Sequence, residues 1–187
     1  DVSSISPDHA VANTMGQIEE VEILRGPAAL AYGSGISGGV VNIINNRISR
    51  RPVNELTGSA EVGYETGNDR RLAMASLASG ANAIAWRFDA TSDRAGDYRI
   101  PSYAELGGPT AGWAISPGVS VDVPYVRRLP QSYNRQDSVG LGVSYLRSTG
   151  YTGISLDHIQ HDYGVPTSEG AQITQSQSRY SLEHVTK

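Results

Sequence analysis

The chain has 187 residues, 39% hydrophobic and 18% charged, with a formal net charge of -4. That charge is too small for a disordered tail, and 15 Lys and Arg against 19 Asp and Glu leave no basic footprint for nucleic acid. The absence of Cys excludes disulfide scaffolds, thiolate zinc sites and Cys nucleophiles, and no apolar run reaches the roughly 18 residues a spanning helix needs.

Taken in order, the chain opens at Asp1 without a leader pattern, as a mature chain or a fragment would. Residues 18–24 alternate loosely as a strand and end at the turn signal Arg25-Gly26-Pro27. Pro27 to Tyr32 suits one short helical turn stopped by Gly33, and the Gly-rich stretch to Gly39 reads as a loop. Val40 to Ile44 is a β-branched strand. Leu56 to Glu65 places Leu56, Gly58, Ala60, Val62 and Tyr64 on one face, with Thr57, Ser59, Glu61, Gly63 and Glu65 on the other. Arg71 to Ser79 returns as a strand, and Ile84 to Thr91 alternates cleanly after the turn at Gly80 to Asn82. A long connection from Ala95 to Arg135 carries five of the nine prolines. Ser138 to Arg147 and Gly153 to Tyr163 are further strands, followed by a polar loop through Gln177 and a last strand at Tyr180 to Val185.

Turns thus alternate short and long, as in an outer-membrane type of β-barrel, with tight turns at one end and long loops at the other. A soluble sandwich would not sort its loops this way. The fold class expected from this pattern is all-β: transmembrane antiparallel barrel strands, five or six of them in meander order. Glu61 and Asp89 fall on the polar face, suited to a wet or plug-filled lumen. Tyr64, Trp86 and Tyr145 fall on the apolar face, where amphipathic rings suit a membrane girdle.

Two short motifs fail on context. Gly33-x-Gly35-x-x-Gly38 matches a dinucleotide fingerprint, but that chemistry needs a strand before the glycines and a helix after them; here the order is inverted. Gly35-Ile36-Ser37-Gly38-Gly39 matches a nucleophile elbow, yet none of His9, His158, His161 and His184 lies in a protease-like setting.

A longer run is more specific. Val21-Glu22-Ile23-Leu24-Arg25-Gly26-Pro27-Ala28-Ala29-Leu30-Ala31-Tyr32-Gly33, the Gly loop, and Gly38-Gly39-Val40-Val41-Asn42-Ile43-Ile44 closely resemble the end of the plug domain of TonB-dependent outer-membrane receptors. Asn45-Asn46-Arg47-Ile48-Ser49-Arg50-Arg51 then occupies the family's basic or polar linker, departing modestly from its usual Thr-Lys-Arg. The resemblance implies two parts, plug end at 1–50 and first barrel strands at 51–187. Since the family closes about 22 strands around a plug, the resemblance implies an internal fragment of a larger receptor, part of a plugged transmembrane antiparallel barrel, seen alone as an open curved meander sheet of five or six strands with a small plug remnant.

The resemblance further implies a Gram-negative outer-membrane location, contact with membrane lipid and lipopolysaccharide, and a TonB energising complex acting through a segment upstream. It implies energy-dependent import of a scarce nutrient (ferric siderophore, haem, cobalamin or metal ion) with no bond made or broken, hence no enzyme, catalytic residue or cofactor. Glu22, Arg25, Gly26, Pro27, Tyr32, Gly33, Gly38, Gly39 and Asn42 carry the plug motif, with Arg25 as a lock toward lumen carboxylates such as Glu61 and Asp89. Among strand-end residues, His161, Asp162 and Tyr163 are candidates for ligand contact; the element through Pro166 is similar to a subset of the family that includes zinc-type receptors. A loop without histidine follows, which argues against a resident metal. The rival reading is a passive β-rich surface module, porin-like or adhesive, in which the Gly run is a linker.

Overall fold

The computed structural model describes residues 18–26, 39–103, 126–166 and 171–186. The short helical turn expected at Pro27 to Tyr32 and most of the Gly loop, including Gly33 and Gly38, lie outside the described residues.

Strands β1 (Glu20–Leu24) and β2 (Val40–Ile44) form a two-stranded antiparallel sheet, with Glu22 opposite Asn42. Gly39 enters β2 at φ 138, in the range that favours glycine, and a side chain there would run into the Leu24 carbonyl. The main body is a six-stranded antiparallel sheet. In chain order its strands are β3 (Thr57–Glu65), β4 (Arg70–Ala81), β5 (Ile84–Ala95), β8 (Asn134–Arg147), β9 (Gly150–Val165) and β10 (Ala171–Thr186). Each pairs with its neighbour in sequence, as a meander does.

Two departures from the sequence reading have physical reasons. The long connection is not wholly irregular: β6 (Arg99–Tyr103) and β7 (Val126–Arg128) pair as a separate hairpin within it. The stretch read as a polar loop up to Gln177 is strand from Ala171 onward. Apart from Ala171 and Ile173 this length holds only Gln, Ser and Thr, so no sustained apolar alternation marks the strand, and the ladder to β9 holds the register.

Register sorts the side chains into two faces. Leu77, Phe88, Leu141, Leu156 and Tyr180 lie directly opposite one another across β4, β5, β8, β9 and β10. Ser79, Trp86, Val143, Ile154 and Leu182 form the neighbouring row on this outer face. Most of these side chains are exposed, Tyr180 by 78%, Leu182 by 73% and Ile154 by 58%, as is Val62 of β3 on the same face. An apolar surface of this extent is not left to water in a soluble monomer. The apolar stretch also shifts along the strands. It reaches Tyr64 near the far end of β3 but stops at Leu156 and Tyr180 on β9 and β10, the oblique edge that tilted barrel strands produce.

Loops are sorted as expected. Residues 82–83 and 148–149 make tight turns at one end, with Asn82 in the left-handed conformation at φ 55. The β3–β4 turn, the end of β5 at Ala95, the start of β8 at Asn134 and the end of β9 at Val165 lie at the other. There the Asp69 carboxylate accepts two bonds from Arg99 Nη2 at 2.7 and 2.9 Å, one from Arg128 Nη2 at 3.3 Å and one from the Tyr64 hydroxyl at 3.2 Å. The Gly96 and Arg99 amides donate to the Asn68 and Gly67 carbonyls at 2.8 Å each. The β6–β7 hairpin is thereby clasped to the β3–β4 turn.

Hydrogen bonds from Arg99 foremost hold Asp69 below its ordinary value of 3.8. A depressed carboxyl pKa contributes in full above the ordinary aspartate range and is lost as pH falls through the lowered value. Asp69→Asn is expected to speed amide exchange at Gly96 and Arg99 at neutral pH, after correction for intrinsic rates. In the unsubstituted protein the same acceleration should appear only on acidification below that range. Unchanged protection in the variant would show that the clasp does not hold the hairpin.

Candidate functional site

The site is the inner face of the sheet and the linker that crosses it. Arg47, Ile48 and Ser49 are buried, although they belong to no strand. The floor beneath them consists of three glycines. A side chain on Gly140 would meet the Arg47 side chain, one on Gly142 the Arg47 backbone carbonyl, and one on Gly153 the Ile48 side chain. On β8 the inner positions 138, 140, 142 and 144 carry Ser, Gly, Gly and Ser, so the linker approaches the backbone closely.

Arg47 Nη1 lies 2.6 Å from Asp157 Oδ1 on β9, with side chains only 6% and 7% exposed. The contact is one of charge rather than of aligned donors: Asp157 Oδ1, Arg47 Nε and Ser144 Oγ have no hydrogen-bond partner among the described residues. Burial pulls the Arg47 pKa below its ordinary value, while Asp157 and then Asp89 oppose that pull. Asp89 is 2% exposed and accepts from Arg87 Nε at 3.2 Å; Arg87 Nη2 also donates to Ser76 Oγ at 3.0 Å. Further along, Arg70 binds Asp93 and Glu65. Each inner-face arginine named here therefore meets a carboxylate, as charges out of bulk water must. Beyond Ser49, Arg50 reaches Glu183 on β10 at 3.4 Å, and the Tyr151 hydroxyl donates to the same Glu183 Oε2 at 2.8 Å.

The residues singled out from sequence fall in three places. Glu22 and Asn42 meet across the β1–β2 ladder, where Asn42 Nδ2 donates to Glu22 Oε2 at 2.9 Å. Arg25 and Gly26 are exposed at the end of β1, with Gly26 at φ 74, and Pro27, Tyr32, Gly33 and Gly38 lie outside the described residues. Of the two lumen carboxylates, both share the inner face; Asp89 is buried in the charge cluster and Glu61 is exposed on the edge strand β3. His161 and Tyr163 share the inner face of β9, their rings 4.6 Å apart, and His161 Nε2 donates to Asn134 Oδ1 at 2.6 Å. Asp162 faces the opposite side of the strand, so it does not converge with His161. Among the described residues no group of His, Cys, Asp and Glu is placed to hold a metal ion.

Sequence reasoning missed Arg47 and Asp157. The signal available was the spacing Gly140-x-Gly142 within an otherwise apolar–polar strand, which marks close approach of another backbone.

Comparison with known proteins agrees with this picture over limited stretches. No family model matches the chain. It is similar to the ferric enterobactin receptor PirA of Pseudomonas aeruginosa, 54% identical over 46 residues, covering 25% of this chain and 6% of that protein. It is also similar to the probable TonB-dependent siderophore receptor PirA of Acinetobacter baumannii, 57% identical over 44 residues, covering 24% of this chain and 5% of that one. A longer and weaker likeness joins it to the ferrichrome outer membrane transporter/phage receptor of Escherichia coli, 26% identical over 170 residues, covering 78% of this chain and 22% of that protein. The chain thus spans a small part of the length of each. What these comparisons define is a class: a β-rich chain similar to TonB-dependent siderophore receptors.

The Arg47–Asp157 pair gives a direct test. Removing one partner of a buried pair costs about 3–5 kcal/mol, whereas an apolar replacement of both is often neutral. With no native Cys in the chain, Ile48→Cys supplies a single reporter thiol. It is expected to resist maleimide in the parent, to become reactive with Asp157→Ala, and to regain protection with Arg47→Met and Asp157→Leu together. Gly142→Val, which has no room beneath the linker, should expose it as well. A thiol that stays protected with Asp157→Ala would show that this pair does not seat the linker.

Proposed function

We propose that this chain is the junction between plug and barrel of an outer-membrane receptor that imports a ferric siderophore, with residues 1–50 ending the plug and 51–187 beginning the barrel wall. The observation that carries the reading is the seating of Arg47 to Ser49 on the polar inner face of a sheet whose outer face is apolar. A wall that is wet inside, greasy outside and crossed internally by its own upstream segment is the geometry of a plugged barrel. Support for the ligand class comes from relatives named for ferric enterobactin, siderophores and ferrichrome.

In this reading the inner face orients and holds. Paired charges such as Arg87–Asp89 and Glu65–Arg70–Asp93 keep the lumen polar without leaving lone charges buried. Arg25 on the plug side pairs with carboxylates of barrel strands beyond β10, and a TonB complex upstream supplies the pull on the plug. His161 and Tyr163 lie near the long-loop end of the inner face but are buried, so they support the wall there and do not offer a free surface to an incoming chelate. No bond of the cargo is made or broken by the chain.

The full-length protein, expressed in an outer-membrane receptor-deficient Gram-negative strain, is expected to restore uptake of radiolabelled iron supplied as ferric enterobactin or ferrichrome. A protonophore should abolish that uptake, because motion of the plug needs energy. Uptake that persists with the protonophore would favour a passive pore, and no uptake of either chelate would remove the siderophore reading.

A further inference from the structure

Arg179, on the inner face, has no role in the arrangement described above. Register places Asp89 of β5, Gly140 of β8, Asp157 of β9 and Arg179 of β10 in one row across four strands. The Arg47 side chain lies over Gly140, so the charges along the row alternate in sign: Asp89, Arg47, Asp157, Arg179. Arg179 is exposed and makes no ion pair or hydrogen bond among the described residues. Its inner-face neighbours in register are Ile159, Asp157 and Ser155 on β9 and Gln177 and Ser181 on β10, so Asp157 is the carboxylate beside it. Directly opposed residues of an antiparallel pair hold their Cβ atoms about 4.5–5.5 Å apart, well within the reach of an arginine side chain.

Two arginines thus stand at one carboxylate. Arg47 holds it from the linker side, at 2.6 Å. Burial lowers the Arg47 pKa most, Asp157 and then Asp89 oppose that pull, and repulsion from Arg179 adds to it. Within the wall itself, Asp89 has Arg87 and Asp157 has Arg179 opposite it, so the anions are matched without the linker. Arg47 is the extra charge that the linker brings. Lifting a buried cation away ordinarily strands its partner, which is strongly destabilising. Here the wall carries a substitute.

We infer that Arg179 is a standby partner for Asp157, which takes the carboxylate when Arg47 leaves and so makes the linker releasable. The inference rests on the reading of this linker as the end of a plug that is pulled. It gives Arg179 a definite sign. In the seated state Arg179 weakens the hold on Arg47, in the released state it satisfies Asp157, and both effects favour release.

The test uses the full-length protein in outer-membrane vesicles with Ile48→Cys, reading by peptide mass mapping the rate at which maleimide labels position 48 through transient opening. Arg179→Gln is expected to slow labelling about three- to fivefold, the scale of a partly exposed charge pair. Arg179→Lys keeps the charge and should stay within about twofold of the parent. With Arg47→Met, which removes the competitor, Arg179→Gln should slow labelling no further. Loss of folding raises labelling instead of lowering it, and heat-modifiable gel migration identifies the folded form. If Arg179→Gln does not fold, Arg179→Met, which keeps the apolar stem, takes its place. Labelling that is unchanged or faster in the folded variant, or slowed equally with Arg47→Met, would overturn the inference. A position 48 that labels freely in the parent would overturn the seating of the linker and the plugged-barrel reading with it; a protected one indifferent to Arg179 overturns this inference alone.

Discussion

The close approach of an extended linker to a glycine floor is the constraint on which the rest of the structure depends. Arg47 to Ser49 can lie on β8 and β9 only because Gly140, Gly142 and Gly153 leave no side chains beneath them. That approach buries a guanidinium, and a buried guanidinium requires an anion. Asp157 supplies it, and the nearby Asp89 adds a second negative charge, itself held by Arg87. One steric fact thus dictates a chain of electrostatic ones. The inner face is polar because something polar is pressed against it.

The outer face follows the opposite logic. Alternation along each strand leaves Val, Leu, Ile, Phe, Trp and Tyr pointing away from the linker, and register aligns them into rows across the sheet. In water these rows would be a liability. Against hydrocarbon they are the favoured surface, and the polar groups at their margins mark where hydrocarbon would end. The two faces therefore assign the sheet two different solvents.

Much of this was legible in the sequence because strand alternation has a period of two and the tight turns carry Gly and Asn. The phases of Leu56 to Glu65, Ile84 to Thr91 and Ser138 to Arg147 could be read directly, and with them the facing of Glu61 and Asp89. The polar half of β10 was not legible, since Thr174 to Ser178 has no contrast between its faces and its pairing comes from β9. Nor was the Arg47–Asp157 contact, whose partners are 110 positions apart in sequence (157 − 47) and joined only by folding. Arg25 lies in a recognisable motif, whereas Arg47 lies where the motif departs from its usual pattern.

The long connection between β5 and β8 has a kinetic consequence. β3–β4–β5 and β8–β9–β10 are each local meanders whose strands can zip from tight or modest turns. Joining them requires the ends of a long segment to meet, and the entropy of that closure must be met before the β5–β8 ladder repays it. The small hairpin of β6 and β7, with its Asp69 clasp, shortens the effective span. Assembly in two halves, with their junction formed last, is the order that this arrangement favours.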